Sequence, residues 1–388
     1  MIGATAQKVA LAAGGTGGHL FPAQALAREL KARGISSLLL TDRRGSGYDP
    51  ASSSDSDVTD SDFIEQHAIA AGGVAGSGPV KRAKSLAQLS IGYLQARKIL
   101  RQCGATAVVG FGGYPSVPSA LAGSHLGLPL VLHEQNAVLG RANRFLARRA
   151  QVICTSFAKV SAFADNDLQK VVLTGNPVRD QIARIGDAAY PHPNPNDLIE
   201  ILVVGGSQGA TIFNDVVPAA IASLPEELRH RLKVTQQVPG NMVERIAGGY
   251  DACDVAHQLA AFFHDLPRHL YQAHLVIGRA GASTVAELAM AGRPAILVPY
   301  PSATDDHQTA NAQALTEVGG GWLIPQSALT VESLAERLLS LLTTPALLSK
   351  AADGARGAAH PRAAGHLADV ICRLFEENGD TNPQEVAA

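Results

Sequence analysis

The chain has 388 residues, 46% of them hydrophobic, which is enough to build two ordinary domains with their own cores. A net charge of −2 excludes nucleic-acid binding driven by bulk electrostatics. Cys103, Cys154, Cys253 and Cys372 lie far apart with no C-x-x-C pair, which favours free thiols in a reducing compartment over a disulfide framework or zinc site.

Lys8 is the only charged residue before the first apolar run, which enters the glycine turn directly, so this run reads as a strand and not a signal peptide. No run approaches the roughly 18 apolar residues that a spanning helix needs. Val9–Ala13 reads as a buried strand, Pro22–Ala32 as a helix and Ser37–Thr41 as the next strand. The acidic, low-complexity stretch 49–62 reads as a surface loop. Lys81–Arg101 has helical spacing. Ala107–Gly110, Leu130–His133 and Val152–Thr155 read as further strands. The stretch 186–197, with Pro191, Pro193 and Pro195, reads as an interdomain linker. The pattern then restarts, with strands at Ile199–Val204, Lys233–Thr235, Leu275–Ile277, Ala295–Val298 and Gly321–Ile324. Helices at Val331–Leu342, Ala346–Gly354 and Arg362–Glu377 close the chain.

Strand–helix alternation predicts α/β architecture with parallel sheets and right-handed crossovers. The expected organisation is two Rossmann-like domains facing across a cleft, over residues 1–185 and 198–355. A C-terminal helix within 356–377 is expected to pack back on the first domain, followed by a tail from 378 to 388. Each half opens with the same phrase: KVALAAGGTGGH from Lys8 to His19, and LIEILVVGGSQGA from Leu198 to Ala210. Glycine allows the tight turn, and the helix behind it offers unpaired N–H groups to an anion. Two such turns suggest a phosphate-bearing ligand. Neither has the G-x-G-x-x-G spacing of a dinucleotide site or the G-K-[ST] of a Walker loop.

Five more strings are distinctive: FGGYPSVP (Phe111–Pro118), HEQN (His133–Asn136), TGNPVR (Thr174–Arg179), GRAGASTVAE (Gly278–Glu287) and DDHQTANA (Asp305–Ala312). With the two glycine turns they resemble, in order from about Lys8 to about Glu376, the MurG-type N-acetylglucosaminyltransferases of bacterial peptidoglycan synthesis. The resemblance implies a glycosyltransferase-B fold. It also implies an inverting hexosyl transfer, forming a β-1,4 linkage, from UDP-N-acetylglucosamine to undecaprenyl-diphospho-N-acetylmuramoyl-pentapeptide (lipid I), giving lipid II. The implied setting is peripheral, at the cytoplasmic face of the inner membrane, in cell-wall biogenesis that serves cell shape and division, with cell-wall synthesis proteins as partners.

A departing diphosphate needs fixed donors or positive charge. Ser207 and the N–H groups from Gln208 to Ala210 open a helix and suit that need, and Arg179 adds a full charge that the resemblance puts near the donor diphosphate. The resemblance implies that Glu287 holds the ribose hydroxyls, where otherwise it reads as a glutamate favoured in the first turns of a helix. Ala282, Ser283 and Thr284 offer backbone groups to sugar and phosphates. Phe262 and Phe263 match the positions that bracket uracil, Phe263 mainly through its backbone. Gln308 and Asn311 match the sugar-reading amides, and Asn136 reaches the sugar from the other domain.

An inverting transfer needs one base for the attacking hydroxyl, a task suited to histidine. His19 is the first candidate and Glu134 the second. The alternatives for His19 are loop packing or contact with the acceptor diphosphate. Thr16, Gly17 and Gly18 offer N–H groups, and Tyr114 and Ser116 line the acceptor pocket or pack a turn. The D-x-D pairs Asp55/Asp57, Asp60/Asp62 and Asp165/Asp167 abut no motif and read as solvated acidic runs. No metal and no cofactor are expected. Lys81, Arg82 and Lys84 beside Leu86, Leu89 and Ile91, and Arg141, Arg144, Arg148 and Arg149 around Phe145 and Leu146, suit an anionic bilayer. A nucleotide donor on a two-domain chain is also expected to drive closure. Three rivals stay open: a diacylglycerol glycosyltransferase, a nicotinamide-dependent oxidoreductase and a non-catalytic nucleotide-sugar sensor.

Overall fold

The computed structural model describes residues 7–14, 17–42, 64–72, 79–186, 188–194, 197–206 and 209–379. The acidic stretch 49–62 lies outside them, as do Thr16, Ser207, Gln208 and the tail from residue 380. The described chain divides into two compact units. One contains the residues up to Arg179 and those from Arg362 onward, and the other is Asp180–Pro361.

In the first unit, seven strands form one sheet. They are β1 (Lys8–Ala12), β2 (Ser36–Thr41), β3 (Glu65–Ala68), β4 (Ala107–Gly110), β5 (Leu130–Glu134), β6 (Val152–Thr155) and β7 (Val171–Leu173). Their order is β3-β2-β1-β4-β5-β6-β7, and every described pairing is parallel. Runs such as VALA, LLLT and AVVG are apolar on both faces because helices cover both faces of such a sheet. Leu20, Leu26 and Leu30 of the helix Gly17–Ala32 pack with Leu367, Ile371 and Leu374 over one face. Ala96 and Leu100 of the helix Pro79–Gln102, with Ala120, cover the other. The last helix, Ala363–Gly379, therefore completes this unit's core. Arg33 holds it at the surface by donating to Glu29 (2.8 Å), Asp369 (2.6 Å) and the carbonyl of Gly365 (3.1 Å).

In the second unit the strands are β8 (Ile199–Val204), β9 (Leu232–Gln237), β10 (Ala256–Ala260), β11 (Leu275–Gly278), β12 (Ala295–Leu297) and β13 (Gly321–Leu323). They form a parallel sheet in the order β10-β9-β8-β11-β12-β13. In each sheet the order reverses beside the first strand, between β1 and β4 and between β8 and β11. Open α/β sheets bind ligands at the carboxyl ends of the strands flanking such a reversal. The core joins Ile199, Ile201 and Val203 to Val217, Ile221, Leu334, Leu338 and Leu341.

Two expectations need correction. The proline-rich stretch does not join the units. The chain passes from one unit to the other after Arg179 and again after Pro361. The described part of the stretch is fastened inside the second unit: Arg356 donates to the carbonyls of Gly186 (2.9 Å) and Ala188 (2.7 Å), and Tyr190 donates to that of His274 (2.7 Å). The other correction concerns β3, β7 and β10, none of which was read as a strand. All three are half-exposed sheet edges: EQHA and AHQLA lack the apolar run that marks a central strand, and VVL is apolar but only three residues long.

Candidate active site

In the first unit the candidate residues collect at the carboxyl ends of β1, β4, β5 and β7. The helix behind β1 begins at Gly17, and its first turn carries half-buried His19. His19 Nδ1 lies 3.1 Å from Oε1 of Gln135. Gln135 Nε2 lies 3.0 Å from His133 Nδ1 and donates to the His133 carbonyl at 3.2 Å. His133 Nε2 meets the carbonyl of Gly175 at 3.0 Å. His133 is fully buried, its ring 5.5 Å from that of Phe111. Burial, with the nearby charge of His19 adding to it, pulls its pKa down to about 4, so the ring is neutral.

The FGGYP turn makes room for this arrangement. Gly112 and Gly113 have φ of 78° and 71°. A Cβ on Gly113 would lie 3.2 Å from His19 Nε2, and one on Gly112 would lie 3.7 Å from Gln135 Oε1. Side chains here would be strained by the backbone and would crowd the imidazole. Ser116 is buried and donates to the Gly113 carbonyl at 2.9 Å, so it braces the turn. Half-buried Tyr114 lies in the same turn.

Glu134 is 2% exposed, and both its oxygens are engaged. Oε1 accepts from the backbone N–H of Asn136 (3.0 Å) and from its side-chain amide (3.3 Å). Oε2 accepts from Gly140 N–H (2.9 Å) and Asn143 Nδ2 (2.8 Å). The carboxylate thereby ties the loop after β5 and orients Asn136. Arg179 stacks its guanidinium 4.9 Å above the ring of Phe21, one turn along the helix from Gly17. Nearby Asn176 is 5% exposed, and neither of its amide atoms has a hydrogen-bond partner among the described residues. Asp167 of the third D-x-D pair is buried and paired with Lys170 at 3.2 Å, a structural contact.

In the second unit the candidates surround the carboxyl ends of β8, β11 and β12. Gly206 and Gly209 turn the chain after β8 with φ of 74° and 71°. The helix Ala282–Ala291 starts after Gly281 with no side-chain cap. Its first-turn N–H groups, on Ala282, Ser283 and Thr284, are the kind an anion satisfies. The buried Ser283 hydroxyl also lacks a hydrogen-bond partner among the described residues. Half-buried Glu287 follows in the second turn of the same helix. Gln308 Oε1 accepts from Ala280 N–H (3.3 Å) and Tyr300 N–H (2.9 Å), which leaves its amide nitrogen as the available donor. Asn311 is fully buried and donates to the Ala280 carbonyl at 3.1 Å, so it braces the loop behind the helix start. Asp305 and Asp306, with φ of 52° and 51°, make a strained turn ahead of Gln308. Beyond β10, Phe263 is buried against the His269 ring at 4.8 Å, while Phe262 is 65% exposed.

His133, Gln135, Asn143 and Arg279 received no role from the sequence. Arg279 lies between the rings of Phe213 (5.3 Å) and Tyr300 (5.5 Å) and donates to the carbonyls of Val298 and Pro299. It thereby joins the chain after β11 to the chain after β12. The available signal was the strand period of two. Residues 133 and 135 share one face at the end of β5 while Glu134 takes the other.

The two parallel-sheet α/β units have the glycosyltransferase-B fold. Residues 9–155 match the N-terminal domain of glycosyltransferase family 28, and residues 200–367 match its C-terminal domain. The chain belongs to this family. It is 51% identical to the UDP-N-acetylglucosamine–N-acetylmuramyl-(pentapeptide) pyrophosphoryl-undecaprenol N-acetylglucosamine transferase of Rhodospirillum centenum, over 94% of this chain and 93% of that protein. The identically named protein of Rhodospirillum rubrum is 48% identical, over 98% and 95%. The crystal structure of Acinetobacter baumannii MurG superposes with a TM-score of 0.73 at 32% identity, covering 95% of this chain and 99% of that one. A UDP-GlcNAc 2-epimerase from Neisseria meningitidis shares the fold, with a TM-score of 0.64 at 14% identity.

The Glu134 geometry has a measurable consequence. Glu134→Ala leaves the Gly140 N–H without its acceptor and the Asn143 amide with the His133 carbonyl alone, and should lower unfolding stability by about 1–3 kcal/mol in urea titrations. An unchanged urea midpoint with activity lost would instead make Glu134 a participant in the chemistry.

Proposed function

We infer that the chain transfers N-acetylglucosamine from UDP-N-acetylglucosamine to lipid I, yielding lipid II in peptidoglycan synthesis. The observation that carries this reading is near-complete coverage of curated transferases of that name at 44–51% identity. The chain also retains the polar groups that the reaction requires. Lipid I presents a sugar hydroxyl to the anomeric carbon from the face opposite UDP. The new C–O bond forms as the bond to the diphosphate breaks, and inversion follows. His19 takes the hydroxyl proton, and UDP leaves with the bonding electrons.

Charge on the departing diphosphate calls for preorganised donors. The helix start at Ala282–Thr284 fills that role together with Ser207 and Gln208, and Arg179 adds positive charge. Glu287 accepts from the ribose hydroxyls, and the Phe263 backbone meets uracil. Gln308 donates from its amide to the sugar. Asn311 holds the Ala280 loop from behind, and Asn136, oriented by Glu134, reads the sugar hydroxyls. Thr16, Gly17 and Gly18 are assigned to the acceptor side. His19 is favoured over Glu134 as base because the Glu134 oxygens are already used by four N–H donors.

A transfer assay with labelled UDP-N-acetylglucosamine and a short-chain lipid I analogue tests the reading. Wild type should give labelled lipid II analogue. His19→Ala should lower kcat by about 10²–10⁴-fold with UDP affinity preserved, and Glu287→Ala should chiefly weaken UDP binding. Turnover of UDP-glucose but not UDP-N-acetylglucosamine would reject the donor, and normal UDP affinity in Glu287→Ala would reject its ribose role.

We further propose peripheral attachment to an anionic membrane at the cytoplasmic face. Among the described residues no helix is long and apolar enough to cross a membrane. Phe145 is 55% exposed with Arg149 over its ring at 5.7 Å, and Leu86, Ile91 and Leu94 project from the helix Pro79–Gln102. Leu146 is fully buried and contributes nothing to that surface. Each basic residue near such a surface contributes about 1 kcal/mol. Sedimentation with phosphatidylglycerol vesicles should show binding that weakens with salt and falls in a Phe145→Ser/Arg148→Ser/Arg149→Ser variant. Equal binding by that variant would remove this patch from the account.

A further inference from the structure

We propose that His133 and Gln135 are positioning residues that hold His19 in the tautomer with its proton on Nδ1 and none on Nε2. Because the Gly175 carbonyl can only accept, the proton of neutral His133 resides on Nε2. His133 Nδ1 is then an acceptor, so the Gln135 amide nitrogen faces it. That nitrogen also meets the His133 carbonyl, which demands the same amide orientation independently. Oε1 of Gln135 is left facing His19, where it accepts from Nδ1–H.

The reversed pattern fails twice. It sets His133 Nε2 lone pair against the Gly175 carbonyl and Gln135 Oε1 against the His133 carbonyl. Charging His133 would supply both protons, but burial opposes it. The chain of bonds therefore ends in the Nδ1–H form of His19, which free histidine disfavours. The tautomer assignment stands on geometry alone. Only its consequence for turnover rests on His19 as the base.

NMR of the full chain labelled with ¹⁵N-histidine reads the tautomer directly, with His19→Gln identifying the His19 signals. Above the titration of His19, wild type should show a protonated Nδ1 and an unprotonated Nε2. Gln135→Leu should move the population toward Nε2–H and lower kcat by about 10–100-fold with KM for UDP-N-acetylglucosamine preserved, a part of the general-base contribution. Gln135→Glu, which still accepts from Nδ1–H, should keep the wild-type tautomer. An Nε2–H His19 in wild type overturns the relay. A tautomer lost in Gln135→Leu without any change in kcat upholds the relay and overturns His19 as base.

A separate cluster lies at the opposite end of the same sheet. We infer that Glu65, His67 and Cys103 form a site for a zinc-class divalent cation. Glu65 and His67 stand two apart on β3 and so share a face, and Cys103 follows the helix Pro79–Gln102. Glu65 Oε1, His67 Nε2 and Cys103 Sγ are separated by 2.8, 3.5 and 3.9 Å. Zinc bonds of about 2.0–2.3 Å at tetrahedral angles space ligand atoms by about 3.3–3.6 Å, so small rotations suffice. Glu65 Oε2 is turned away to Lys8 at 3.0 Å, leaving Oε1 for the ion. The carboxylate, imidazole and thiolate together suit a borderline-soft ion, with water at the open fourth position. The thiol would release its proton to solvent on binding.

Zinc competition against a chromophoric chelator should find one equivalent on the full chain, absent in Cys103→Ser and His67→Gln, with transfer activity unchanged in both variants. Cobalt(II) should give thiolate charge-transfer absorption that Cys103→Ser abolishes. Equal zinc binding by wild type and both variants, or a cobalt band that survives Cys103→Ser, overturns the site.

Discussion

A buried imidazole with one available protonation state organises the first unit's polar end. His133 is removed from water, so it is held neutral, and the carbonyl of Gly175 dictates where its single proton lies. Gln135 passes that choice to His19. Glu134, facing the other way from the same strand end, anchors the loop to Gly140 and Asn143. Three consecutive polar residues at the end of β5 thus do different work because strand geometry sends them to opposite faces. The turns after β4 and β7 are shaped to match, one by positive-φ glycines beside His19 and the other by Gly175 itself.

The second unit uses the same economy with other residue types. Its helix start at Ala282 is left without a side-chain cap, while the surrounding loops are braced from behind by Gln308, Asn311 and Arg279. Bracing spends the carbonyl of Gln308 and the amide nitrogen of Asn311 on the protein, while the N–H groups of the helix start carry no side-chain cap. A nucleotide diphosphate demands that division of labour. Rigid backbone donors stabilise developing charge without having to reorganise as it forms.

Much of this was legible in the residues. Central strands such as VALA, AVVG and LVIG announced themselves as short apolar runs, because a strand buried on both faces has no polar alternation to blur it. Three edge strands escaped because EQHA, VVL and AHQLA are half-exposed and short. The proline-rich stretch looked like a linker, yet Arg356 and Tyr190 pin it through contacts more than 80 residues away in sequence. Ser116 and Asn311 are buried and each braces a loop through a backbone carbonyl, which residue type alone does not show. HEQN was read through Glu134 and Asn136, whereas the hydrogen-bond chain runs through His133 and Gln135. Residue type alone does not reveal which nitrogen holds a proton, since that depends on a carbonyl 42 positions away.

The central claim is that His19 offers an unprotonated Nε2 to the acceptor hydroxyl while UDP departs from the helix start at Ala282. A crystal structure with UDP and a short-chain lipid I analogue addresses it most directly. The account predicts the acceptor hydroxyl within hydrogen-bond reach of His19 Nε2, the diphosphate at the Ala282–Thr284 N–H groups and the ribose on Glu287. A hydroxyl facing another base, or a nucleotide seated away from that helix start, would contradict it.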